Sequence, residues 1–151
     1  SLPMICGLDY KANSQLNYVA HQAQKTTQSQ LTSRKTAITN VTTLAYNNYT
    51  PGQNEDTNDQ KIHAWYQLGI GGSYDSYSDR NNEYTYIAQK LNKHVYDIIQ
   101  GRLSNKTYAP VGIVLMNQVT NSNESVYSKQ LIDAILTLNA KMKLEAAGGT
   151  N

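Results

Sequence analysis

Pro110-Val111-Gly112-Ile113-Val114-Leu115-Met116-Asn117 is the stretch that decides the fold class of this chain. Four of its eight residues, Val111, Ile113, Val114 and Leu115, are large and apolar, and they form a run rather than an alternation. Such a run reads as a strand covered on both faces, as in a parallel sheet. A proline opens it, where a strand tolerates one. It closes on Met116-Asn117-Gln118, where apolar gives way to polar. In parallel α/β folds the ligand sits at the carboxyl ends of the strands. Asn117 is therefore a candidate site residue on position alone, against the plainer reading that it only turns the chain.

Working outward, the sequence offers more strands and helices. Residues 2–8, Leu-Pro-Met-Ile-Cys-Gly-Leu, are a short apolar run and the expected first strand; Asp9-Tyr10-Lys11 follow it with an acid, a phenol and an amine. Such a set holds hydroxyls and a phosphate, or merely forms a solvated turn. Residues 13–32 are ambiguous. Leu16, Val19, Ala20 and Ala23 fit a helical face, but 25–30 are wholly polar. Helical spacing returns from Ser33, a candidate N-cap, through Ile38, Val41, Leu44 and Ala45, against the β-branched content of 38–43. Residues 47–60, with Pro51-Gly52, read as a loop.

Residues 61–70 alternate Ile62, Ala64, Tyr66 and Leu68 with His63, Trp65 and Gln67, and are the second expected strand. They run into Gly71-Gly72-Ser73, where glycines let backbone approach a ligand. The cluster lacks the spacing and the lysine of a P-loop. Residues 74–82 read as a tyrosine-bearing loop. Residues 83–100 are the clearest helix, with Tyr84, Ile87, Leu91, Val95 and Ile98 three or four apart, Asn81 or Asn82 as cap and Gly101 past the end. A last helix is expected over 126–144, with Leu131, Ile132, Ile135, Leu136, Leu138 and Met142 on its apolar face. Strand, helix, strand, helix, strand, helix is the order of repeated βα units, and implies an α/β fold with a parallel sheet. Three strands leave two unpaired edges, so a larger α/β structure or a partner chain is expected to cover them.

Composition bounds the function. The 151 residues suit one domain. Charged residues make up 16% and the net charge is +2, without a basic stripe, which argues against a nucleic-acid partner. The 12 tyrosines and the wealth of Asn and Thr suit an extracytoplasmic protein, secreted or at the cell surface. One cysteine, Cys6, excludes an internal disulfide, and its apolar neighbours mark it as a buried residue rather than a nucleophile. No apolar run is long enough to span a membrane. The chain opens on Ser1 and enters an apolar run at once, the start expected of a processed or cut piece.

Four stretches, 4–10 (Met-Ile-Cys-Gly-Leu-Asp-Tyr), 35–45, 63–73 and 110–117 with Leu131-Ile132 and Asn139, resemble the C-terminal half of the phosphatidylinositol-specific phospholipase C-like phosphodiesterases. Those enzymes are TIM barrels. The resemblance implies that this chain supplies the C-terminal βα units of such a barrel, as in a secreted or displayed bacterial protein. It implies that Asp9 helps hold the inositol of a substrate. The family's catalytic histidine pair lies in its N-terminal half, so no catalytic residue, metal or cofactor is expected here. The chain departs from the family pattern at Leu8, Lys11 and Asn117, where a Gln, an aromatic and an acid are usual. His21 and His94 fall on helix patterns and His63 opens a strand, away from a common site.

The expected ligand is thus a phosphorylated polyol or phospholipid headgroup, bound by Asp9, Tyr10, Lys11, Gly71, Gly72, Ser73 and Asn117. The expected protein partner is an N-terminal half-barrel or a second copy of the chain. The alternative is a non-enzymatic carbohydrate- or ligand-binding surface module, with Trp65, Tyr74 and Tyr77 exposed in a row.

Overall fold

The structure is a computed structural model that describes residues 17–21, 23–51, 65–75 and 80–149. The expected strand at 2–8, and Asp9, Tyr10 and Lys11 after it, lie outside the described residues. What is described is a mixed α/β architecture of parallel sheets and three helices. In chain order the elements are β1 (Asn17–Ala20), β2 (Ala23–Thr26), α1 (Gln28–Asn47), β3 (Trp65–Gly69), β4 (Gly72–Tyr74), α2 (Arg80–Ser104), β5 (Ile113–Leu115), a 3-10 turn (Glu124–Val126) and α3 (Ser128–Ala146). The strands form a three-stranded sheet in the order β1-β3-β5 and a pair β2-β4, with every pairing parallel.

The segment 17–26 corrects the helical reading of Val19, Ala20 and Ala23. Tyr18 pairs with Tyr66 and Ala20 with Leu68, and the Tyr18 and Tyr66 rings stack 5.1 Å apart. An aromatic followed by a β-branched residue favours the pleated surface once a partner strand is present. The chain breaks step at His21, then pairs again through β2, with a register shift between Ala23 and Lys25. β3 and β4 break at the matching place, Ile70 and Gly71. The two strand pairs are therefore successive stretches of the same neighbouring chains, bent at one level by an extra residue. The wholly polar run 25–30 ends β2 and opens α1.

α1 starts five residues before Ser33. Thr27 makes the capping box: its hydroxyl accepts from the Gln30 amide, and the Gln30 side chain accepts from the Thr27 amide. Leu31, Ile38, Val41 and Ala45 face the core. The β-branched run does not break the helix, because Ile38, Val41 and Thr42 are buried and tertiary packing outweighs propensity; Thr36 and Thr43 donate to the carbonyls four residues earlier. α2 likewise outruns its sequence signals at both ends. Asn81, Asn82 and Gly101 lie inside it, not at its caps. Ile87, Leu91, Val95 and Ile99 recur every fourth residue and are fully buried. Each such side chain contributes roughly 1.5–3 kcal/mol of burial, and this stripe outweighs the one unfavourable glycine. In α3, which begins at Ser128 rather than Val126, Leu131, Ala134 and Leu138 are buried. Leu136, expected on the same face, is 61% exposed.

The stretch 110–117 is also corrected. Only Ile113–Leu115 is strand, all three residues are half-buried, and β5 is an outer strand; β3 is the central one. The run is apolar because Val111 enters the core and Val114 and Met116 pack against it, not because a sheet covers both faces. Gly112 opens β5 with φ +114°, and a Cβ there would meet the Tyr66 carbonyl oxygen at 2.9 Å. Residues 74–82 are not one loop: Tyr74 ends β4, a turn follows at Asp75, and α2 begins at Arg80.

Candidate functional site at the carboxyl end of the sheet

In a parallel sheet the strands end on one side and the following helices begin there. Thr26 ends β2, Tyr74 ends β4 and Leu115 ends β5. β5 stops opposite Gly69, so the outer edge of β4 lies beyond its end. Asn117 reaches into that place: its Nδ2 donates to the Gly72 carbonyl over a long 3.4 Å. Gly71, Gly72, Ser73 and Asn117, four of the residues singled out from sequence, are thus brought to one end of the sheet.

The glycine cluster owes its backbone access first to an arginine. Arg34, from α1, donates through Nη2 to the carbonyls of Gly69 (2.8 Å) and Gly71 (2.6 Å), and through Nη1 to Thr26 Oγ1 (3.1 Å). It is a strap across the break in the sheet. Its burial lowers its pKa from the ordinary value, and no carboxylate lies beside it among the described residues. Its Nε has no hydrogen-bond partner. Gly72 follows with φ +123°, a backbone region that favours glycine. Ser73 is buried. Gly72 is buried as well, and Asn117 beside it is half-buried.

Lys25 stands one residue before the end of β2. Its ammonium lies 3.9 Å from Asp75 with both side chains well exposed, a loose pair that contributes little to stability. The sequence reading passed over Lys25 as part of a featureless polar stretch. The pairing partner of 17–26 was the missing signal, because only the sheet turns those polar residues into a strand end. The loop after β5 is held rigid: Ser128 Oγ donates to the Gln118 carbonyl and Asn121 Nδ2 to Gln118 Oε1. Gln118 sits at φ 61°, and the loop so fixed sets the direction in which Asn117 leaves the strand.

Of the expected aromatic row, only Tyr74 has a described side chain. The Tyr74 ring packs 4.3 Å from Tyr86 and its hydroxyl donates to Gln28 Oε1, so it serves the β4–α2 junction. Tyr77 and the ring of Trp65 lie outside the described part of the structure. Among the described residues no three His, Cys, Asp or Glu side chains gather as a metal-holding group, and no helix is long and apolar enough to cross a membrane.

His63 lies outside the described residues, and His21 is exposed at the break between β1 and β2. His94 is held between α1 and α2, with Nε2 2.9 Å from Thr39 Oγ1 and 3.0 Å from the Lys35 carbonyl. Since the carbonyl only accepts, Nε2 carries the proton of a neutral ring. Burial lowers its pKa below the ordinary 6.5, against the bond to Lys35, which raises it. The folded state therefore binds this proton less readily than the unfolded chain, and stability is lost as pH falls through and below about 6.5. Urea midpoints are expected to drop between pH 7.5 and pH 5, and H94Q to flatten that drop. An unchanged pH profile in H94Q would contradict this assignment.

No family model, curated protein or solved structure matches the chain in these comparisons.

Proposed function

We propose that the chain supplies the headgroup-binding βα units of a phosphodiesterase resembling the phosphatidylinositol-specific phospholipases C, and holds a phosphorylated polyol or lipid headgroup at the carboxyl end of its sheet. The observation that carries the reading is the meeting of Asn117 with Gly72 where β5 ends and β4 continues. An amide at 3.4 Å from its acceptor is easily turned to a better one, such as a ligand hydroxyl. Lys25, near the end of β2, supplies a cation at the same end of the sheet. α1 and α3 begin at the same end and carry no acid in their first turns, so their positive ends favour an anion.

The proposal gives this chain binding rather than proton transfer, because His94 is engaged between two helices far down the chain from the strand ends. The acid and base belong to an N-terminal half. Among the described residues β1 and β5 each pair on one side only, and a half-barrel with further parallel strands would cover both edges. The barrel, the phosphodiesterase activity and the secreted or cell-surface location all belong to this proposal.

Calorimetric titration with myo-inositol 1-phosphate tests it, with inorganic phosphate as the second probe. Binding of the inositol phosphate is expected to weaken about tenfold or more in N117L and in K25A, the loss of one hydrogen bond or one charge contact in each. Only the K25A loss is expected to shrink with added salt. Binding that is absent, or indifferent to both substitutions, would overturn the reading. Equal affinity for phosphate and inositol phosphate would remove the polyol from it.

A further inference from the structure

At the opposite end of the sheet, between the C-terminal halves of α1 and α2, a cavity of about 280 Å³ opens to solvent. It is just below the usual size of ligand pockets, and so fits one small ring. Its chemistry is set by Thr43 and Tyr46 from α1, by Gly101 and Arg102 from α2, and by Asn105 just beyond.

Gly101 is the telling residue. It lies inside α2, where glycine costs about 1 kcal/mol relative to alanine. Its φ is not positive. A Cβ built there would meet nothing within 4 Å. Neither packing nor backbone geometry in the free chain asks for a glycine, whereas a ligand lying on the helix backbone would. Arg102 forms a fixed wall: it donates to the carbonyls of Thr42 (2.6 Å), Ala109 (2.8 Å) and Pro110, and lies 5.3 Å from the Tyr46 ring centre. Burial lowers its pKa to about 10, so it stays charged at neutral pH. Tyr46 is nevertheless 41% exposed. Thr43 Oγ1 spends its proton on the Thr39 carbonyl at 2.9 Å, which leaves its oxygen as an acceptor. No Asp, Glu or Lys is among the residues that line the cavity. Both helices end here, and their partial negative charge favours a ligand that donates hydrogen bonds over one that brings an anion.

We propose that this cavity binds a neutral sugar ring, laid over Gly101 and against Tyr46, with one hydroxyl donating to Thr43 Oγ1 and another met by the Asn105 amide. The site is separate from the carboxyl end of the sheet and does not depend on the function proposed there.

Methyl β-D-glucopyranoside, methyl β-D-galactopyranoside and N-acetylglucosamine are titrated into the ¹⁵N-labelled chain, with glucuronate as the charged probe. At least one neutral sugar is expected to shift the amides of Thr43, Gly101 and Asn105 with saturation in the millimolar range. Y46A and G101L are each expected to weaken it about tenfold or more. G101L grows into open space and keeps the helix, so its folded spectrum guards against a trivial loss, and G101A is expected to fold and retain much of the binding. No shift with any neutral sugar overturns the proposal. So does binding of glucuronate alone, or binding that G101L leaves unchanged.

Discussion

Replacing Arg34 by alanine is expected to lower the free energy of unfolding by about 3 kcal/mol. The substitution strips donors from the carbonyls of Gly69 and Gly71 and from the Thr26 hydroxyl. Arg34 and Thr26 are buried, and the break in the sheet offers those carbonyls no strand partner among the described residues. A buried acceptor left without a donor costs roughly 1–3 kcal/mol. Relief of a desolvated cation offsets part of the loss, which is why the sum stays near the figure for one or two orphaned carbonyls. Equilibrium urea unfolding of R34A measures it. R34K is expected to recover only part, since an ammonium is a point charge and the guanidinium spans three acceptors in a plane. An R34A variant as stable as the parent would mean that the break is held by something other than this strap, and that Gly71 and Gly72 owe their positions to another cause.

Gly112→Ala is expected to cost about 3 kcal/mol as well, by a different route. The residue sits at φ +114°, and its Cβ would stand 2.9 Å from the Tyr66 carbonyl oxygen. The obstacle is backbone of the central strand, not a side chain that can swing away. Relief requires β5 to move off β3, so the Gln67–Ile113 and Leu68–Val114 pairings are expected to loosen with it. Because Asn117 follows on the same short strand, G112A should also uncouple it from Gly72. Faster amide exchange at Ile113 to Leu115, together with the loss in urea midpoint, is the expected result. Unchanged exchange there would show that β5 is not anchored through Gly112.

How much of this was legible in the sequence follows from which signals are local. α2 and α3 are read correctly because Ile87, Leu91, Val95 and Ile99, and Leu131 and Leu138, keep helical spacing by themselves. Their ends are misread because Asn81, Asn82 and Gly101 resemble caps, while burial beyond them carries the helix on. The strands at 17–26 are invisible to periodicity: Ala20 and Thr26 are buried by partners far along the chain, and nothing within ten residues says so. Arg34 is hidden for the same reason, a charge in a polar helix with two of its three acceptors thirty-five and more residues away. At the candidate site, Asn117 is legible because apolar gives way to polar at a strand end, and Gly72 because glycines cluster. Lys25 is not, because its place depends on the unseen strand. Asp9, Tyr10 and Lys11 lie outside the described residues.

The central claim is that the carboxyl end of the parallel sheet is a ligand site. A heteronuclear NMR titration of the ¹⁵N-labelled chain with myo-inositol 1-phosphate tests it most directly. The account predicts saturable shifts centred on Lys25, Gly72, Ser73 and the Asn117 side-chain amide, with the Asn117 signals moving furthest as its bond to Gly72 gives way. Shifts confined to the Thr43–Gly101 cavity at the other end of the sheet, or no saturable shift at all, would contradict it.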